Sequence, residues 1–127
     1  MKYILTIALL ALSFSLFAQG SNAPAKFTEV KHDFGKIPQG KPVTTKFSFT
    51  NTGTKPLIIE TAEAGCGCTT PEYPKAPIMA GKTGVITVTY DAANAGLFTK
   101  DVNIKFAGTQ LPVTLKITGD VEAKKAK

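Results

Sequence analysis

The chain contains two cysteines, Cys66 and Cys68, with one glycine between them. In an extended segment, side chains two residues apart point to the same side, and the two Cα atoms lie about 6.6 Å apart. That separation is near the upper limit for a disulfide, but Gly67 lacks a Cβ and can bend the backbone to shorten it. The spacing therefore leaves three roles open: a small redox ring, a pair of soft-metal ligands, or a locally required turn.

A Cys66–Cys68 bridge would stabilise the fold only weakly. Closing a loop of three residues is worth about 1.6 kcal/mol in the loop-entropy description, and strain in so short a bridge opposes this gain. A strained bridge is easily reduced, so thiol–disulfide chemistry is one hypothesis for the pair. The sequence lacks the Cys-x-x-Cys spacing that activates one thiol in many redox proteins.

Metal binding is another hypothesis, since paired thiolates suit Cu(I) or Zn²⁺. The accessory ligands would be His32 and Met79, and both are distant from the cysteines in sequence. A four-ligand zinc site is therefore hard to assemble within one chain. Two chains could instead share four thiolates, which would make a dimer through the cysteines.

The chain begins with the layout of a secretory signal peptide, in which a short basic start precedes the apolar run 4–17 and a small residue, Ala18. This run of about 14 residues is shorter than the ~20 that a membrane-spanning helix needs. We therefore expect cleavage between Ala18 and Gln19, export to the periplasm or the extracellular space, and no membrane span after cleavage. Export would place the cysteines where disulfides form.

Beyond the apolar run, apolar and polar residues alternate with period two, which is typical of half-buried strands. The clearest case is Val43, Thr45, Phe47 and Phe49, which share one face of a predicted strand. About seven such strands, separated by turns, predict an all-β fold, an immunoglobulin-like antiparallel β-sandwich. The predicted organisation is a signal peptide (1–18), a polar leader (19–25), the sandwich (26–121) and a lysine-rich tail (122–127).

Three further segments are less regular. Lys26–Phe34 is predicted as an irregular first strand, and Leu57–Ile59 as a short strand. Glu60 and Glu63 follow it, and we interpret them as solvated residues at a strand end. The last strand is predicted to include Leu111.

The net charge is +6, and all 15 basic residues are lysines. Arginine supplies the planar fork that binds phosphate and guanine in two places, so its absence argues against specific nucleic-acid recognition. The lysines are dispersed, which favours a role in solubility. No phosphate-binding loop, zinc-helix motif or nucleophile elbow is present, so we do not expect an enzyme.

Several motifs taken together resemble a bacterial family, the domain of unknown function family 1573. They are Asp33–Gly35, Phe47–Gly53, Leu57–Ile59, Cys66–Thr69, Pro77–Gly81 and the Gly96–Ile104 strand entry. The resemblance implies an immunoglobulin-like sandwich related to Hydin-like and PapD-like modules, usually exported, with no established activity.

These observations predict an exported, non-catalytic binding or scaffolding module that presents a Cys-Gly-Cys loop to an unidentified envelope protein. An exposed edge strand could add to the sheet of that partner. Thiol–disulfide chemistry and Cu or Zn binding at Cys66 and Cys68 remain the alternatives. No other cofactor is expected.

Overall fold

The computed structural model describes residues 23–124. The predicted signal peptide, its cleavage point between Ala18 and Gln19, and the end of the lysine-rich tail lie outside these residues. No helix formed by residues 23–124 is long and apolar enough to cross a membrane.

The described chain forms eight strands. In chain order they are β1 (Ala25–Phe27), β2 (Lys31–Pro38), β3 (Val43–Asn51), β4 (Ile59–Ala64), β5 (Thr69–Glu72), β6 (Thr83–Tyr90), β7 (Gly96–Phe106) and β8 (Val113–Glu122). The predicted all-β class is therefore confirmed, with eight strands in place of about seven. The predicted first strand is interrupted at residues 28–30, between β1 and β2, and β5 forms directly after the cysteines.

The strands form two four-stranded sheets, as the predicted sandwich requires. Sheet 1 has the order β1-β3-β6-β5, and sheet 2 has the order β2-β8-β7-β4. Neighbouring strands are antiparallel except β2 and β8, which are parallel. This exception follows from the interruption at residues 28–30, because there the chain leaves the edge of sheet 1 and continues along the edge of sheet 2.

Period-two alternation builds the core. On β3, Phe47 and Phe49 are fully buried, whereas Thr44 and Lys46 on the other face are exposed. The same alternation buries Ile86 and Val88 on β6 and the inward residues of β7 and β8. The two sheets therefore enclose one apolar core between them.

Two predicted strand ends differ from the structure. Leu111 lies in the turn before β8 and is half exposed, so its assignment to the last strand was wrong. Glu60 and Glu63 lie within β4 and not at the end of a strand. The alternation that begins at Ile59 is broken by a bulge between Ile59 and Thr61, which hides the strand in the sequence.

Aromatic rings fill the core at both ends. Phe49 contacts Phe27 and Phe106 at centroid distances of 5.3 and 5.7 Å, while Tyr90 stacks on Phe98 at 4.0 Å. The Phe98 ring fits because Gly119 faces it on β8: a Cβ at Gly119 would lie 2.6 Å from the ring. A side chain at this position would displace the ring from its stack on Tyr90.

The connecting segments gather at two opposite ends of the sandwich. Residues 39–42, 65–68 and 91–95 form one end, where Gly40 N donates to Ala92 O and Asp91 N donates to Cys68 O. We call it the cysteine end. Residues 52–58, 73–82 and 107–112 form the opposite end, where the side chain of Asn51 donates hydrogen bonds to Lys55 O and Ile78 O. We call it the asparagine end. The core lies between the two ends.

Candidate functional site

The cysteines lie in the crossover from β4 to β5, at the cysteine end. The chain leaves sheet 2 at Ala64, which pairs with Val102, and enters sheet 1 at Thr69, which pairs with Tyr90. Residues 65–68 thus span the gap between the edges of the two sheets, and ladders of backbone hydrogen bonds hold both flanking strands.

Cys66 and Cys68 are joined to each other by a disulfide. Their Cα atoms are 5.3 Å apart, which is within the usual range for a bridge. This is shorter than the separation in an extended segment, because residues 65–68 bend and turn here, as the glycine between the cysteines allows. Both sulfurs are therefore engaged within one chain.

Backbone hydrogen bonds hold the crossover independently of the sulfurs. Thr69 N donates to Cys66 O at 3.4 Å, and Asp91 N donates to Cys68 O at 3.0 Å. The second bond ties the crossover to the end of β6. Two contacts that hold the chain between the sheets therefore do not involve sulfur.

The hydroxyl of Thr69 lies beside both sulfurs. Its Oγ1 is 3.8 Å from Cys66 Sγ and 3.7 Å from Cys68 Sγ, and only 4 % of the residue is exposed. A hydroxyl can donate to a sulfur as well as accept from a thiol. The site therefore has a fixed polar group within reach of either sulfur.

The two sulfurs have different surroundings. Both cysteines are half buried, but Cys68 packs against the apolar core and Cys66 is not among the described residues that do so. On both sides of Cys66, Gly65 and Gly67 are exposed, and a Cβ added to either would meet no atom within 4 Å. Cys68 therefore contacts the apolar core, whereas Cys66 lies between two exposed glycines.

Beneath the crossover lies Tyr90, the register partner of Thr69. Burial raises the pKa of the Tyr90 hydroxyl above its ordinary value, and the negative charge of Asp91 raises it further. Asp91 also accepts a hydrogen bond from Ala93 N, which closes a turn in which buried Ala92 has a φ of 55°. This left-handed geometry at a non-glycine residue is held by the Gly40 N–Ala92 O bond.

The structure does not bring the two predicted accessory ligands to the thiol pair. His32 lies on β2, three strands across sheet 2 from β4, or about 14 Å at the usual strand spacing. Its ring packs on Phe34 and lies near Glu29. Met79 lies at the asparagine end, separated from the cysteines by the length of β6, or about 25 Å. Within residues 23–124, no three His, Cys, Asp or Glu side chains cluster as metal ligands.

Two important residues lie outside the predicted site. Thr69 follows the cysteines directly, so its position in the sequence could have indicated that its hydroxyl lies beside the thiols. Asp91, whose backbone holds Cys68, is distant in sequence and has no such signal.

The family model described as "Protein of unknown function (DUF1573)" matches residues 25–121. The chain belongs to this family. The match covers both sheets and the cysteine crossover, so the resemblance that the motifs indicated is confirmed. Among curated proteins, none matches this DUF1573 chain significantly in sequence.

Solved structures similar to this DUF1573 protein share its fold at low sequence identity. The ASH/PapD-like domain 7 of human CEP192 is 6 % identical with a TM-score of 0.69, over 81 % of this chain and 88 % of that one. A protein of unknown function from Porphyromonas gingivalis W83 is 14 % identical with a TM-score of 0.66, over 80 % and 50 %. The CupB2 chaperone of Pseudomonas aeruginosa is 12 % identical with a TM-score of 0.53, over 75 % and 54 %. At such identities the similarity establishes a PapD-like fold and nothing further.

Proposed function

We propose that this protein is an exported binding module that docks an extended segment of an envelope protein along the free edge of β4. The observation that carries the proposal is that β4 is a six-residue edge strand, without proline, that pairs on one side only, with β7. A strand with one unpaired side can accept a further strand through main-chain hydrogen bonds. The chaperone and PapD-like domains with similar folds support this role.

The other three edges of the sandwich are less suited to strand addition. β1 has three residues, and β5 has four and contains Pro71, which cannot donate a main-chain hydrogen bond. β2 is longer, but a break in register between Asp33 and Lys36 interrupts its edge. Only β4 continues beyond its bulge with four paired residues in register, from Thr61 to Ala64.

The side chains of β4 indicate the chemistry of the segment that it would bind. Glu60 and Glu63 are exposed, and no ion pair within residues 23–124 involves Glu63, whereas Glu60 lies 3.7 Å from Lys105. Toward the core, Ala62 and Ala64 are small and only half buried, because no strand covers them at the open edge. A partner segment with alternating basic and apolar residues would pair with Glu63 and cover both alanines.

The test uses a ten-residue peptide of alternating valine and lysine, with a valine–glutamate peptide of the same length as its control. We expect the lysine peptide to bind the wild-type protein, and the Glu63→Lys variant to weaken this binding about tenfold through like-charge repulsion. Glu72→Lys on β5 makes the same change of charge at a different edge and should bind as the wild type does. Fluorescence anisotropy measures all of these affinities.

The same two variants then serve as bait in a detergent extract of the cell envelope. A partner that the wild type and Glu72→Lys retain and that Glu63→Lys releases supports docking at β4, provided that hydrogen exchange shows new protection of the β4 amides in the complex. Equal behaviour of the two variants toward both peptide and extract would contradict the proposal.

A further inference from the structure

We infer that the Cys66–Cys68 disulfide is a thiol–disulfide exchange site that oxidises a dithiol. In this site Cys66 is the sulfur that is attacked, Cys68 is the leaving group, and Thr69 is a positioning residue that stabilises the leaving thiolate. The inference does not depend on docking at β4.

The framework around the crossover permits the bond to open. The bridge closes only three residues, so it restrains the unfolded chain far less than a long-range disulfide does. The flanking strands remain paired to Val102 and Tyr90, and the Asp91 N–Cys68 O bond does not involve sulfur. The two thiols can therefore separate or rejoin while the sandwich stays folded.

The surroundings of the sulfurs give the exchange a direction. Packing against the core shields Cys68, whereas Cys66 has no such packing and lies between two exposed glycines, so an incoming thiolate reaches Cys66 more easily. When the bond breaks, negative charge develops on the sulfur that leaves. The Thr69 hydroxyl, 3.7 Å from Cys68 Sγ, can turn its proton toward that charge.

The exchange proceeds in two displacements. A thiolate of the dithiol attacks Cys66 Sγ, the Cys66–Cys68 bond breaks, and its electron pair goes to Cys68 Sγ. The second thiolate of the dithiol then attacks the dithiol's other sulfur, which is bonded to Cys66 in the mixed disulfide, and Cys66 leaves as a thiolate. The dithiol loses two electrons and becomes a disulfide, the protein gains them, and the two protons from the dithiol end on Cys66 and Cys68.

The first experiment treats the oxidised full-length protein with dithiothreitol in native buffer, followed by alkylation and intact-mass measurement. We expect both cysteines to become alkylated while the far-ultraviolet circular dichroism stays unchanged. Reduction that requires denaturant would overturn the inference, since the bridge would then be inaccessible in the folded protein.

The second experiment compares single variants with the disulfide probe DTNB. We expect Cys66 in the Cys68→Ser variant to react about tenfold faster than Cys68 in the Cys66→Ser variant, because only Cys68 packs against the core. Equal rates, or a faster Cys68, would overturn the assignment of Cys66 as the attacked sulfur.

The third experiment isolates the hydroxyl of Thr69. Thr69→Val keeps the shape of the side chain and removes the hydroxyl, so we expect reduction by dithiothreitol to slow about tenfold, the value of one hydrogen bond to a charged group. Thr69→Ser retains the hydroxyl and should react within about twofold of the wild type, and urea unfolding checks that both variants are folded. A wild-type rate for Thr69→Val would remove Thr69 from the mechanism.

Discussion

Two of the segments that carry the chain between the sheets lie at opposite ends of the sandwich and are fastened by different chemistry. At the asparagine end, the crossover from β3 to β4 is held by Asn51, which is only 1 % exposed. At the cysteine end, the crossover from β4 to β5 carries the Cys66–Cys68 disulfide beside Thr69. The crossover at the asparagine end is held by hydrogen bonds from a buried amide, and the crossover at the cysteine end carries a covalent bond near the surface.

The hydrogen bonds of Asn51 use the whole side-chain amide. Nδ2 donates to Lys55 O and Ile78 O, each at 2.8 Å, and Oδ1 accepts from Gly53 N at 2.9 Å. The backbone of Asn51 also bonds to Gly81 and Lys82. Removing the side chain would leave Lys55 O and Gly53 N without this partner and Ile78 O with only its bond from Leu57 N, and lost hydrogen bonds are costly where the groups are shielded from water.

Opening the disulfide at the cysteine end has no comparable cost in free energy. If the disulfide opens, it leaves two thiols, which are weak hydrogen-bonding groups and tolerate an apolar neighbour. The backbone bonds of Cys66 and Cys68 remain. Opening the bond at the cysteine end is therefore compatible with the fold, whereas losing the amide at the asparagine end would destabilise it.

The largest effect should come from Asn51→Ala. We expect it to lower the free energy of unfolding by about 3 kcal/mol, because the Lys55 and Ile78 carbonyls and the Gly53 amide lose their shared partner. The midpoint of urea unfolding measures the loss. A change below about 1 kcal/mol would show that water replaces the side chain and would break the contrast between the two ends.

A smaller effect is expected when both Cys66 and Cys68 are replaced by serine. The loop-entropy description puts the loss at about 1.6 kcal/mol, with the sandwich still folded. Urea unfolding and far-ultraviolet circular dichroism of this variant test whether the cysteine end tolerates the loss of its disulfide. If the double variant fails to fold, the bridge is an essential part of the framework and the two ends are alike.

The smallest effect concerns Tyr90, beneath the cysteine crossover. Because its pKa in the folded protein is raised above the ordinary value of 10.0, the folded state holds the phenol proton more tightly than the unfolded state does. The resulting stability is fully present below pH 10 and is lost as the pH rises through the folded pKa, by at most about 1.4 kcal/mol per pH unit.

The Tyr90→Phe variant separates this titration from that of the lysines. We expect the difference in unfolding free energy between wild type and variant to be constant from pH 7 to 9 and to shift toward the variant above pH 10. A difference that stays constant up to pH 11 would mean that the tyrosine is solvated, contrary to its packing on Phe98.

Much of the fold was predictable because alternation is a local property. The faces of β3 follow from residues 43–51 alone, and the turn at Asn51 follows from the Asn-x-Gly pattern. The break between β1 and β2, the bulge in β4 and the parallel pairing of β2 with β8 were not predictable. Each of these depends on which distant strand lies alongside, and no local pattern records that.

At the candidate site, the order of residues along the chain is enough to place two thiols one residue apart beside a threonine. These residues are close because they are neighbours along the chain, so their proximity does not depend on the fold. The tertiary structure was needed to show that the end of β6 holds Cys68, that Cys68 and not Cys66 packs against the core, and that His32 and Met79 lie elsewhere. These outcomes depend on pairing between strands that are distant in sequence, since that pairing sets which segments share an end of the sandwich.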